Sequence, residues 1–158
     1  MRSNEIFDRT ESRARATWDT LNKLREMWPG KLVVKGVLDV EDALTLKAAG
    51  VDGIQVSSHG ARQLESAPVP IEMLAKIREQ IGADYPLFFH SGIRSGEDVL
   101  RALTQGADFV FLGRILQYAM AAGHEPGLHK LWDVISEETS IAMAQTGLTS
   151  PKDITGVR

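Results

Sequence analysis

The chain has no cysteine among its 158 residues, which excludes disulfides, thiolate nucleophiles and every thiolate-based metal site. It also lacks any block of one charge sign: the formal net charge is −3, and acidic and basic residues are interspersed. That balance argues against a nucleic-acid or membrane-surface role. No apolar run approaches the ~20 residues of a membrane-spanning helix. The first sixteen residues, MRSNEIFDRTESRARA, are too charged for the apolar core of a signal peptide, and Glu5, Asp8 and Glu11 speak against a transit peptide. A cytoplasmic protein is the expectation. What is present is a hydrophobic content of 43%, enough for one domain-sized core, which excludes disordered, collagen-like and coiled-coil classes.

Residues 1–16 are polar and without period and read as a loose tail. From Thr17, apolar residues recur at helical spacing, with Trp18, Leu21, Leu24 and Met27 or Trp28 on one face and Pro29-Gly30 closing the segment. The strand KLVVKGV follows, and its adjacent Val33 and Val34 predict a parallel strand covered on both faces. A helix over 40–49 is capped by Asp39 and stopped at Gly50, and a second strand spans Gly53–Val56. Pro70 opens a helix with Ile71, Leu74, Ile77, Arg78 and Ile81 in register. Strand Leu87–Phe89, a helix over 95–104, strand Asp108–Gly113 and a helix over 114–122 complete the alternation. After Gly123 a last helix runs over about 125–146, and its stripe of Leu128, Leu131, Trp132, Ile135, Thr139 and Met143 is assigned to core packing. The fold class is therefore α/β, with about four parallel βα units and a C-terminal helix. Right-handed crossovers place the four strands side by side. Such a sheet has two open apolar edges, at residues 32–35 and 108–112. The expectation is self-association, a separate N-terminal half-barrel chain, or membership of a longer protein.

The chemistry concentrates in VSSHGARQLES, residues 56–66, which leaves the carboxyl end of the second strand, where α/β enzymes keep their sites. It sets one base beside one cation. Histidine, with an ordinary pKa of about 6.5, takes and returns protons near neutrality. Arginine three positions on offers a fork that matches a carboxylate. His59 and Arg62 thus suit a small acid that must lose a proton; the alternative is a pair of ordinary polar loop residues. Lys35 ends the first strand, where a solvated lysine is the usual case. Gly92, Arg94 and a following helix start make an anion cradle, and Gly113-Arg114 repeats the Gly/Arg strand end one unit later. Such neighbouring turns resemble the phosphate site that barrels build after their last two strands. His124 and His129 have no partners at metal-ligand spacing and read as solvated helix-start residues, so no metal site is expected.

SSHGARQLES, with KGV at residues 35–37, SGIRSGEDV at 91–99 and GADFVFLGR at 106–114, resembles the FMN-dependent 2-hydroxy acid oxidases and dehydrogenases, the glycolate oxidase and lactate oxidase group. The resemblance runs from about Trp18 to Ile154 and corresponds to the later half of that family's (β/α)₈ TIM barrel; a whole barrel needs about 200 to 250 residues. It implies that residues 17–158 form a half-barrel that uses FMN to oxidise an L-2-hydroxy acid to the 2-oxo acid. By the same resemblance His59 is the catalytic base and Arg62 binds the substrate carboxylate. Lys35 lies near the pyrimidine side of the flavin, and Gly92, Arg94, Gly113 and Arg114 hold its phosphate. His90 and Ser91 also belong to the cofactor turn, where His90 replaces the family's usual aspartate to the ribityl chain and Ser91 a frequent glycine. The tyrosines that the family's first half brings to the substrate have no counterpart here. The alternative is a catalytically incomplete half-barrel that binds FMN or phosphate, or an assembly fragment.

Overall fold

The computed structural model describes residues 17–157, and the expected tail at 1–16 lies outside them. Four parallel strands form one sheet in the order β1 (Val33–Val37), β2 (Gly53–Val56), β3 (Leu87–Phe89), β4 (Phe109–Val110). Helix α1 (Trp18–Met27) precedes β1. The crossovers are α2 (Val40–Ala48), α3 (Pro70–Ile81) and α4 (Gly96–Thr104), and α5 (Arg114–Gln145) follows β4. Four βα units in a single parallel sheet are the α/β arrangement expected.

The helices begin where their side chains can satisfy first-turn amides. Asp39 accepts from the Asp42 amide at 3.0 Å to start α2, and Ser95 accepts from Asp98 at 3.2 Å to start α4. Val69 caps nothing with its side chain, but Pro70 at the first position of α3 has no amide to satisfy. The long α5 is two helices joined at Gly123 and His124, whose backbones leave the helical region just before Pro126.

Helices cover one face of the sheet. Ile54, Val56, Leu87 and Phe89 meet Leu46, Leu74, Ile77 and Ile81 in one cluster, and each such side chain contributes about 1.5–3 kcal/mol on burial. The other face is open. Val33 is 46% exposed and Phe109 57% exposed, so the expectation that β1 is covered on both faces is corrected. Its burial alternates because residues on the uncovered face have no second layer to pack on. Trp132 is likewise 68% exposed rather than core. Of its stripe only Ile135 is fully buried, and Trp132 lines a groove of about 1230 Å³ between β4 and the second half of α5. In α1 no residue is fully buried, and Leu21 alone of its apolar face packs on the core. His129 pairs weakly with Glu125 one turn back, at 3.7 Å on the surface, a partner the spacing argument missed.

At the amino ends of the strands one device occurs twice. Gly50-Val51-Asp52 leads into β2 and Gly106-Ala107-Asp108 into β4. Each aspartate donates its amide to, and accepts with its carboxylate from, one residue at the start of the neighbouring strand: Leu32 for Asp52, Leu87 for Asp108. Arg25 and Lys31 neutralise Asp52 at 2.8 Å each. Hydrogen bonds from Lys31, the Leu32 amide and Arg25 hold its carboxyl well below the usual range. Buried Arg78 neutralises Asp108 at 2.7 Å and also donates to the carbonyls of Gly106, Gly82, Ala83 and Tyr85.

Arg78→Met keeps the buried stem and removes every donor to these oxygens. It is expected to cost about 3 kcal/mol in denaturant unfolding, with Arg78→Lys recovering less than about half because one ammonium cannot reproduce the fork.

Candidate active site

All the carboxyl ends of the strands open onto one cleft of about 350 Å³. Lys35 reaches it from β1, His59 and Arg62 from the turn after β2, His90, Ser91, Gly92 and Arg94 from the turn after β3, and Gly113 and Arg114 from the end of β4. The nine residues singled out in the sequence are therefore brought together, whereas Gln63 is exposed and lines no part of the cleft.

The turn carrying His59 is wound left-handed. His59, Gly60 and Ala61 have φ of 57°, 68° and 62°, a conformation that costs roughly 1–2 kcal/mol for each residue bearing a Cβ. Local bonds hold it: buried Ser57 accepts the His59 amide on its Oγ at 3.1 Å, and Ala61 donates to the Ser58 carbonyl at 3.0 Å. The winding lays the imidazole on the backbone of β1. Gly36, at φ 99°, is the extra residue of a bulge between Lys35 and Val37, and a Cβ built there would overlap His59 Cε1. The KGV motif thus contributes a seat as well as a lysine, which spacing alone did not reveal. Arg62 folds back, donating its Nε to the His59 carbonyl at 3.2 Å.

The cradle differs from the expected one in one part. The start of α4 is already occupied, because Arg94 donates its amide to Asp98 at 3.0 Å and Gly96 donates to Glu138 at 2.7 Å. Carboxylates there take two of the amides that an anion would use. The start of α5 is less occupied: its N-cap is Gly113, which caps with no side chain, and of the first-turn amides Leu116 donates to the Gly113 carbonyl while those of Arg114 and Ile115 remain for a ligand. Above Gly92, at φ 73°, nothing lies within 4 Å of where a Cβ would stand. His90 rests against Gly113, with Nε2 3.0 Å from a Cβ built there, and packs edge-on to Phe111. Its Nδ1 is buried with no hydrogen-bond partner.

Among the described residues no aspartate or glutamate lines the cleft, while Lys35, Arg62, Arg94 and Arg114 do. Among the described residues, none of these four is within ion-pair distance of a carboxylate. The concentration of positive charge shows in the titrating groups. Burial, then Lys35 and Arg62, lower the pKa of His59. Burial, then Lys35, His59 and Arg62, lower that of His90. Lys35 is lowered by burial and then by Arg62. Such a cleft suits a ligand with several negative charges, and a neutral imidazole within it is ready to accept a proton. Among the described residues no group of His, Asp and Glu side chains converges to hold a metal ion.

Comparison with known proteins adds a name to this geometry. The model of the FMN-dependent dehydrogenases matches residues 1–157. The chain belongs to the FMN-dependent dehydrogenase family. It is 42% identical over 138 residues to an L-lactate dehydrogenase of Bartonella quintana, covering 87% of this chain and 36% of that protein. An L-lactate dehydrogenase of Xanthobacter autotrophicus is 44% identical over 137 residues, covering 87% and 35%. Among solved structures, a soluble mutant of the membrane-associated (S)-mandelate dehydrogenase from Pseudomonas putida superposes with a TM-score of 0.84 at 38% identity, covering 89% of this chain and 40% of that one. A putative lactate oxidase of Pediococcus acidilactici gives 0.81 at 34% identity, covering 86% and 38%. The chain thus spans little more than a third of the curated relatives it matches. For a family defined by FMN, the cleft's donor set fits the cofactor: open amides and two arginines for a phosphate, and a lysine for a flavin ring that gains charge on reduction. No helix among the described residues is long and apolar enough to cross a membrane.

Two outcomes test this geometry. Gly36→Ala is expected to unseat the imidazole without unfolding the chain, seen as a changed His59 ring environment in NMR with core signals in place. Sulfate, which stays dianionic across the range, is expected to bind several-fold tighter at about pH 5.5 than at about pH 7.5, because a bound dianion favours protonated His59 and His90. The sign for stability follows from the same depression: the unfolded chain binds more protons, so stability without ligand falls as pH drops below about 6.5.

Proposed function

We propose that the chain is the carboxyl-terminal half of an FMN-dependent enzyme that oxidises an L-2-hydroxy acid to the 2-oxo acid in the cytoplasm. The observation that carries this reading is the convergence of a seated histidine, four cations and two glycine turns in a cleft free of carboxylates, on a chain of this family. Bound FMN would supply the acceptor for the two electrons that leave the substrate. Gly92, Arg94, Gly113 and Arg114 would hold its phosphate, His90 and Ser91 would contact it from the neighbouring turn, and Lys35 would favour negative charge on its ring. Arg62 clamps the substrate carboxylate, and His59, kept neutral by its surroundings, takes the substrate proton. L-Lactate is the first substrate to try, given the relatives.

The complementary half of the barrel would close on the edges of β1 and β4, supplied by a second copy, by a separate chain or by the rest of a longer protein. The exposed Val33, Phe109 and Phe111 and the groove beside Trp132 support such a partner, since an open apolar sheet face is otherwise left in water. The same openness favours a second reading, a half that binds FMN or phosphate without turnover, because catalysis needs reacting groups held to a fraction of an ångström.

The test is a titration of the full chain with FMN, followed by flavin fluorescence and by sedimentation, then assay with L-lactate. Binding that coincides with dimer formation and turnover, with His59→Ala lowering kcat at least about a hundredfold, is the expected outcome. FMN binding without turnover would select the second reading, and a folded chain that binds no FMN in any association state would overturn both.

A further inference from the structure

Among the hydrogen bonds of the described residues, those that tie the His59 turn to another strand end run through one side chain, Ser91. Its Oγ accepts the Ser58 amide at 3.0 Å and lies 3.2 Å from Ser58 Oγ. Ser57 fastens the turn only to its own strand, and the Arg62 bond to the His59 carbonyl stays within the turn. The turn meanwhile holds three consecutive left-handed residues, two of them with a Cβ, a conformation that persists only where the surroundings over-determine it.

We propose that Ser91 is a positioning residue, whose hydroxyl clasps the left-handed turn to the end of β3 and so keeps the His59 imidazole seated on Gly36. The importance of that seat rests on the reading of His59 as the base. Ser91 also stands next to Gly92 in the cofactor turn, so the clasp joins the base-bearing loop to the anion-binding one. A serine hydroxyl has one donor and two acceptor sites, and the bonds to Ser58 use two of the three. One remains for a ligand group, so occupancy of the cleft and order of the His59 turn share a side chain.

The test compares the full-length wild-type chain with Ser91→Ala and Ser91→Thr by amide hydrogen exchange and by NMR titration of the His59 ring, without ligand and with sulfate. In Ser91→Ala, exchange at Ser58 and His59 is expected to quicken at least about tenfold while Ile54 and Leu87 keep wild-type rates. The His59 midpoint is expected to rise toward its ordinary value as the ring leaves its partly buried seat and the neighbouring Lys35 and Arg62. Ser91→Thr, which retains the hydroxyl, is expected to restore both. Unchanged exchange and titration in Ser91→Ala, or equal changes in the Ala and Thr variants, would overturn the proposal; should Ser91→Ala disturb the core amides, Ser91→Gly reads the same bond. Failure of wild-type chain to bind sulfate or FMN would strike the flavoenzyme reading, whereas a normal His59 turn in Ser91→Ala would strike the clasp alone.

Discussion

The constraint on which the molecule turns is where along the strands positive charge is neutralised. At the amino ends three cations meet carboxylates: half-buried Arg25 and exposed Lys31 on Asp52, and buried Arg78 on Asp108. There the charges knit neighbouring strands together and the carboxylates bond strand amides as well. At the carboxyl ends Lys35, Arg62, Arg94 and Arg114 face one another across a cleft with no acidic lining. Placing like charges together costs folding energy, and a chain keeps such an arrangement when a ligand relieves it. Compensation at one end makes its absence at the other informative.

Backbone strain also bears on the cleft. Among the described residues, non-glycine backbone with left-handed φ occurs in His59 and Ala61 at the cleft and in His124 at the break of α5. Winding a non-glycine residue left-handed is unfavourable, yet here it lays an imidazole on a glycine bulge of the next strand. Gly36 is meaningful only together with that ring. Neither residue explains the other's conformation from sequence, because the contact joins β1 to a loop more than twenty residues away.

This locates the boundary of what could be read from residues alone. Local rules carried the element order, the cap at Asp39, the Pro70 start and the break at Gly123, because each depends on neighbours in sequence. The residues lining the candidate site could be grouped in advance because their motifs lie at or just beyond the carboxyl halves of strands, and parallel strands deliver those to one side. Pairings between units were not legible. Arg78 looked like one more member of an amphipathic face, although it gathers carbonyls from two loops. Glu138 took the Gly96 amide that the Gly92 turn had suggested was free, since nothing local places α5 against that helix start. Burial on the open face was misjudged for a related reason: apolar neighbours such as Val33 and Val34 do not say whether a second layer exists.

That second layer links stability to function. The face opposite the helices carries Lys35 and Gln55 in register with Phe88 and Phe109, polar toward β1 and aromatic toward β4, and Phe111 bridges Phe88, Phe109 and His90 by edge-on ring contacts. In a closed barrel such inward residues fill the interior. Here they are the wall on which the cleft residues stand, so covering them would lower the local dielectric around Lys35 and His59. Lower dielectric strengthens the attraction of these groups for an anion while further disfavouring their charge in its absence. Closure of the sheet and binding of a negatively charged ligand should therefore be mutually reinforcing: each makes the other less costly, and neither half of that exchange is available to the open sheet alone.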